Sequence, residues 1–242
     1  MGGVVTKFIY RNLANATSLL GVLPLAILFL DDGYLYVIPL IIYNNFMDDL
    51  DGVLAAKLNI RSQFGADLDN VCDAVAHISL ALAVGAHFGG FVIFASAIAA
   101  GSILIRIVSR LNPKSIGGTG SQTNELMRHM LFALLLSGLF NISPEYILVA
   151  VFLMHSVSMV LPFSMPHFII DRANSPTLLG LVNITLVVAW LVPITTPIIS
   201  AAFVAAYVNS FIVGSVGWRN KLAVDTLPQK IIPTNVSTSE IR

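Results

Sequence analysis

Six of the 13 acidic residues in this chain fall between positions 48 and 73: Asp48, Asp49, Asp51, Asp67, Asp69 and Asp73. Asp48, Asp51, Gly52 and Ala55 are spaced i, i+3, i+4 and i+7, which places them on one face of a helix. Asp69 and Asp73 are i, i+4 and share a face of the next helix. The connection between them is short, roughly residues 57–65, so the two helices are expected to lie adjacent and antiparallel with their carboxylates converging. Without a cation such carboxylates repel one another. Oxygen-only ligands on a rigid frame suit Mg²⁺ or Mn²⁺, and the four acids Asp48, Asp51, Asp69 and Asp73 could hold two ions. Two such ions form a clamp for in-line attack at phosphorus.

The glycines agree with that chemistry. Gly52 lies beside the acids, where a missing side chain lets a diphosphate approach the backbone. Gly65 begins the second helix, and Ser62 is placed to cap it, leaving free N–H groups for an anion. Small residues at helix contacts in a membrane are the competing explanation for both glycines.

The elements that must carry these residues are hydrophobic. Of 242 residues, 56% are hydrophobic and 11% charged, against about 25% charged in a soluble domain. That leaves too little polar surface to coat a water-soluble globule. Net charge is zero, so no nucleic-acid partner is expected. The single cysteine, Cys72, forms no internal disulfide and is expected to be packing. Eight apolar segments are expected as transmembrane helices, near 13–30, 34–56, 66–86, 89–108, 124–140, 145–163, 176–192 and 194–216, with six to eight as the range. Turn residues separate them: Asp31-Asp32-Gly33, Phe88-Gly89-Gly90, Asn112-Pro113, Asn141-Ile142-Ser143-Pro144, and Pro193 with Pro197.

All 13 basic residues fall on one side of this arrangement, from Lys7 and Arg11 to Lys230 and Arg242. The opposite loops carry Asp31, Asp32, His87 and Glu145. This positive-inside pattern predicts cytoplasmic termini in a plasma (inner) membrane. Residues 1–218 are read as one transmembrane domain, with Trp218 as an interfacial anchor and 219–242 as a short cytoplasmic tail. Four Asn-x-Ser/Thr matches, including Asn15-Ala16-Thr17 and Asn183-Ile184-Thr185, are read as chance.

Residues 48–73 resemble the signature of the CDP-alcohol phosphotransferases, D-x2-D-G-x2-A-R-x8-G-x3-D-x3-D. Asp48, Asp51, Gly52, Ala55, Gly65, Asp69 and Asp73 occupy it with every spacing kept. One position departs: the family's arginine, which helps hold the nucleotide end of the donor, is Ala56 here, with Lys57 and Arg61 as nearby basic residues. The resemblance implies an all-α polytopic membrane enzyme whose active site sits at the cytoplasmic ends of helices two and three. Its reaction would be attack of an alcohol on a CDP-linked donor, commonly CDP-diacylglycerol, with release of CMP, in phospholipid biosynthesis. Carried over by position, Asp48, Asp51, Asp69 and Asp73 are metal ligands, and Asp73 is also the general base for the acceptor hydroxyl. Gly52, Ala55 and Gly65 receive the cytidine diphosphate, with Lys57 and Arg61 as candidate substitutes for the arginine. The resemblance also admits a homodimer.

Beyond the motif, Arg106, Arg110 and Lys114 form a basic strip that could bind the acceptor's phosphate or carboxylate, or a lipid headgroup; positive-inside topology alone also explains it and is the favoured reading. Glu125 and Arg128 are i, i+3 and could pair. His77, one turn past Asp73, is expected as packed polar residue, and Asp49 and Asp67 as solvated neighbours of the site. The acceptor is not specified: the Ala74-Val75-Ala76-His77 stretch lacks the lysine associated with glycerophosphate-type members. Two other readings stay open. One is a silenced member of the same fold, for which Ala56 speaks; the other is an unrelated transporter, against which the acids lie at helix ends rather than at the midplane.

Overall fold

A computed structural model of the protein describes residues 9–112, 118–166 and 176–225. Lys114, together with Lys7, Arg172, Lys230 and Arg242, lies outside the described residues. Eight α-helices are present among those described: α1 (Leu13–Val22), α2 (Val37–Lys57), α3 (Gln63–Phe88), α4 (Gly90–Leu111), α5 (Thr123–Phe140), α6 (Glu145–Val160), α7 (Pro176–Leu191) and α8 (Thr196–Asp225). No strand occurs among the described residues. The helices follow the eight expected segments closely.

Two segments differ in detail. The first expected span is α-helical only to Val22 and continues as a 3₁₀ helix over Leu23–Phe29. Pro24 is the cause, since it has no N–H to give the carbonyl one turn back. That carbonyl belongs to Leu20, and the Tyr43 hydroxyl of α2 donates to it at 3.0 Å. The last helix runs through Arg219 and Lys221 to Asp225, past the expected boundary at residue 218. No glycine or proline follows Gly217 until Pro228, and polarity alone does not end a helix.

Turn chemistry ends the other helices where the sequence places it. Gly89 and Gly90 sit at φ +64° and +50°, conformations that favour glycine, and reverse the chain between α3 and α4. Asn141 closes α5 in the left-handed region at φ 51°. Antiparallel neighbours then pack closely. Ala81, Val84 and Ala99 are fully buried at the contact of α3 with α4, and a Cβ on Gly85 would run into the Ser96 side chain. Small residues are what allow two backbones to approach so far. The core continues through Ile103, Leu126, Met130, Leu148, Phe152 and Leu186, all inaccessible to solvent.

Among the described residues, three helical segments are long and apolar enough to cross a membrane: Gln63–Phe88, Gly90–Leu111 and Pro193–Ala223. Leu13–Phe29, Glu145–Val160 and Pro176–Leu191 are shorter apolar helices. Large apolar side chains such as Phe91, Phe94, Val157, Ile184 and Phe211 point outward, as a lipid-facing surface requires.

Candidate active site

The candidate residues meet where α2 ends and α3 begins. Ser62 adopts an extended conformation, and its hydroxyl accepts from the Gly65 N–H at 3.0 Å, starting α3 as expected. Leu58 N–H closes α2 on the Leu54 carbonyl, and Asn59 takes φ +53° to turn the chain. This tight corner brings the two acidic faces together.

Carboxylate oxygens of Asp48, Asp51 and Asp69 lie within 4.8 Å of one another. Three like charges at that separation repel by roughly 3 kcal/mol per pair at an effective dielectric constant near 20. Each is held from outside the pair of helices or from its neighbour. Asn124 on α5 donates Nδ2 to Asp48 at 2.6 Å, and the Ser18 hydroxyl on α1 donates to the buried Asp51. Asp69 interacts directly with Asp51. Asp73 lies one turn further along α3, is buried, and is in side-chain contact with Asp48. Two cations act on the cluster from its flanks: Arg110 on Asp48, Asp69 and Asp73, and Arg128 on Asp48 and Asp49. An all-oxygen donor set with this much negative charge fits a hard divalent cation.

A cleft of about 240 Å³ opens beside the acids. Gly52, Ala55, Arg61, Gly65, Asp51 and Asp69 line it, joined by Asn15 and Ser18 from α1. Nothing lies within 4 Å of where a Cβ on Gly52 would be, so that face is open to a ligand. Gly65 combines both explanations given for it. It lines the cleft, and a Cβ there would meet Asn15 Oδ1 at 3.0 Å. Of the two basic residues near Ala56, Arg61 lines the cleft and Lys57 does not.

The expected basic strip separates into two parts. Arg110 is exposed at the site and donates to Asn70 Oδ1 at 2.9 Å. Arg106 is 5% exposed and turns the other way, its Nη1 donating to the carbonyls of Gly118 and Gly120 at 3.1 Å each. It holds a backbone strap that also bonds to the end of α6, through Gly118 N–H to Val160 O and Ser121 N–H to Ser158 O. The Gly118–Ser121 stretch is therefore structural, and Arg106 belongs to it.

Asp67 accepts from exposed Gln63 at 2.8 Å, in keeping with a solvated neighbour. Asp49 does not fit that description: Asn183 on α7 donates to it at 2.5 Å, and Asn45 at 3.4 Å. Asn45 also donates to Asn183 at 2.9 Å and accepts from Arg128 Nε at 3.0 Å. The Glu125–Arg128 pair forms at 3.1 Å. Sequence reasoning missed Asn15, Ser18, Asn45, Asn124 and Asn183. Asn15 and Asn183 had stood out only as glycosylation matches, yet an asparagine within an apolar span is itself a signal, because it must find partners there.

The family model described as CDP-alcohol phosphatidyltransferase matches residues 11–165, from the start of α1 to just beyond α6. None of the curated proteins matches the chain. The matched stretch contains the aspartate cluster, the cleft and the corner that joins them, and with the long apolar helices it points to an integral membrane protein. By that match, which covers more than half its length, the chain belongs to the CDP-alcohol phosphatidyltransferase family.

Proposed function

We propose that this protein transfers a phosphatidyl group from CDP-diacylglycerol to a small alcohol, releasing CMP, in phospholipid synthesis. The observation that carries the reading is the convergence of Asp48 with Asp51 and Asp69, the latter two at the wall of a cleft whose floor at Gly52 has no side chain. The cleft takes the cytidine diphosphate, with Arg61 supplying the positive charge that Ala56 lacks, and Asn15 and Ser18 completing its α1 wall. Two Mg²⁺ or Mn²⁺ ions, when bound by Asp48, Asp51, Asp69 and Asp73, would offset the carboxylate charge and the charge of the diphosphate.

The acceptor oxygen forms a bond to the phosphorus of the phosphatidyl group. The phosphoanhydride P–O bond breaks, and its electron pair leaves with CMP. The hydroxyl proton passes to the Asp73 carboxylate, since an alcohol is a poor nucleophile until its proton is taken. Burial beside Asp48 shields the Asp73 carboxylate from bulk water.

All eight helices cross the membrane in this reading. The ends of α2, α4, α6 and α8 and the starts of α1, α3, α5 and α7 share the cytoplasmic face, where the basic residues lie. A homodimer is compatible with the outward apolar helix faces. The test is CMP release by the purified protein in liposomes with CDP-diacylglycerol, Mg²⁺ or Mn²⁺ and a panel of alcohols, with Asp73→Asn as control. Release with one alcohol, lost in the variant, is expected. Donor binding without release for any alcohol or metal would instead mark a silenced member of the family.

A further inference from the structure

Three polar atoms beside the reacting carboxylates have no hydrogen-bond partner among the described residues: Arg128 Nη2, Asn124 Oδ1 and His77 Nδ1. Arg128 is 2% exposed and His77 1%. Asn124 and Arg128 are i, i+4 and share one face of α5. Because a carboxylate only accepts, Asn124 must give Asp48 its NH₂, which turns its carbonyl oxygen away. Arg128 is gripped on two sides, by Glu125 through Nη1 and by Asn45 through Nε, leaving Nη2 free. Its charge acts on both Asp48 and His77, which places the three groups in one neighbourhood of α2, α3 and α5. His77 is one turn past Asp73 on α3, on the same face as the proposed base.

Resting on the phosphotransfer reading above, we infer that Asn124, Arg128 and His77 form the subsite for the acceptor alcohol. The acceptor is an unphosphorylated alcohol that carries both a hydrogen-bond donor and an acceptor beside its reacting hydroxyl. The charge of Arg128 is already offset by Glu125, with Asp48 and Asp49 close by. A phosphate would bring further negative charge and acceptors only, and would set an anionic oxygen against Asn124 Oδ1. A hydroxyl or ammonium donates to Asn124 Oδ1; a hydroxyl or carboxylate accepts from Arg128 Nη2. A hydroxy amino acid and a polyol share this chemistry. In either, the reacting oxygen bonds to phosphorus, its proton passes to Asp73, and CMP departs with the electron pair of the broken P–O bond.

The experiment uses the full chain in liposomes with CDP-diacylglycerol and Mn²⁺, and compares wild type, Arg128→Lys and His77→Gln. One readout is equilibrium binding of radiolabelled serine, inositol, glycerol and glycerol 3-phosphate, which needs no turnover. The other is CMP release, resolved into donor and acceptor KM. One unphosphorylated alcohol is expected to bind. Each variant should weaken that binding and raise acceptor KM about tenfold, because a buried partner is left unmatched, with donor KM within about twofold. Should Arg128→Lys fail to fold, His77→Gln, which leaves the Arg128 and Asn124 contacts in place, tests the same subsite by the same loss of binding. Preferred binding of glycerol 3-phosphate, no binding of any alcohol, or variants that shift both KM values together would overturn the inference. Binding that depends on these residues without CMP release would uphold the subsite and refute the catalytic reading.

Discussion

The Ser18 hydroxyl donates to the Asp51 carboxylate, tying α1 to the acidic end of α2. It turns the first helix from a membrane anchor into part of the site. Ser18→Ala removes one charge-assisted hydrogen bond, worth about 1.5–3 kcal/mol. The Mn²⁺ or Mg²⁺ concentration for half-maximal CMP release should rise about tenfold or more. An unchanged metal requirement would show that Asp51 is held by its other contacts.

Arg61 and Lys57 make opposite predictions. Arg61 lines the cleft and Lys57 does not. Arg61→Ala should raise donor KM about tenfold, in line with losing one charge-assisted contact to a diphosphate, whereas Lys57→Ala should leave it within twofold. Equal effects on initial-rate measurements would place the nucleotide elsewhere.

Two glycines separate function from packing. Gly52→Ala meets nothing within 4 Å, so the protein should fold with an unaltered melting temperature and bind donor more weakly. Gly85→Ala drives a methyl into Ser96 between α3 and α4 and should cost about 1–3 kcal/mol of stability. Thermal melts in detergent beside donor titrations distinguish the two.

Arg106 and Arg110 should likewise part company. Arg106→Ala leaves the buried Gly118 and Gly120 carbonyls without their donor, a loss of about 1–3 kcal/mol for each, read as a lower melting temperature. Arg110→Ala, on the surface, should change stability by no more than about 0.5 kcal/mol while weakening catalysis through its charge on the cluster. A melting temperature insensitive to Arg106→Ala would mean the strap is held by α6 alone.

Much of this was legible in the sequence. The i, i+3, i+4 spacing of Asp48, Asp51 and Asp69-Asp73 fixes helical faces by geometry, and Ser62 is a cap whichever way the chain packs. Gly89-Gly90 and Asn141 end their helices for local reasons. What was not legible depends on which helix lies beside which. Asn15 and Ser18 acquire a role only once α1 packs against α2 and α3, and Arg106 parts from Arg110 only because the Gly118–Ser121 strap sits on its side of α4. Asp49 looked solvated because Asn183 is 134 residues away. Pro24 lay inside the first expected span and was read through, and its remedy, the Tyr43 hydroxyl, depends on α2 packing beside α1.

The reach of Asn183 and Tyr207 bears on how this enzyme could be dissected or inherited. The family match stops at residue 165, yet Asn183 of α7 donates to Asp49 and Tyr207 of α8 donates to Ser158 of α6 at 2.7 Å. A gene fragment ending at the match would carry every motif residue and still strip Asp49 and Ser158 of these donors. The last two helices thus brace the site from outside the matched stretch, and replacing them would exchange the support of the site along with the helices themselves.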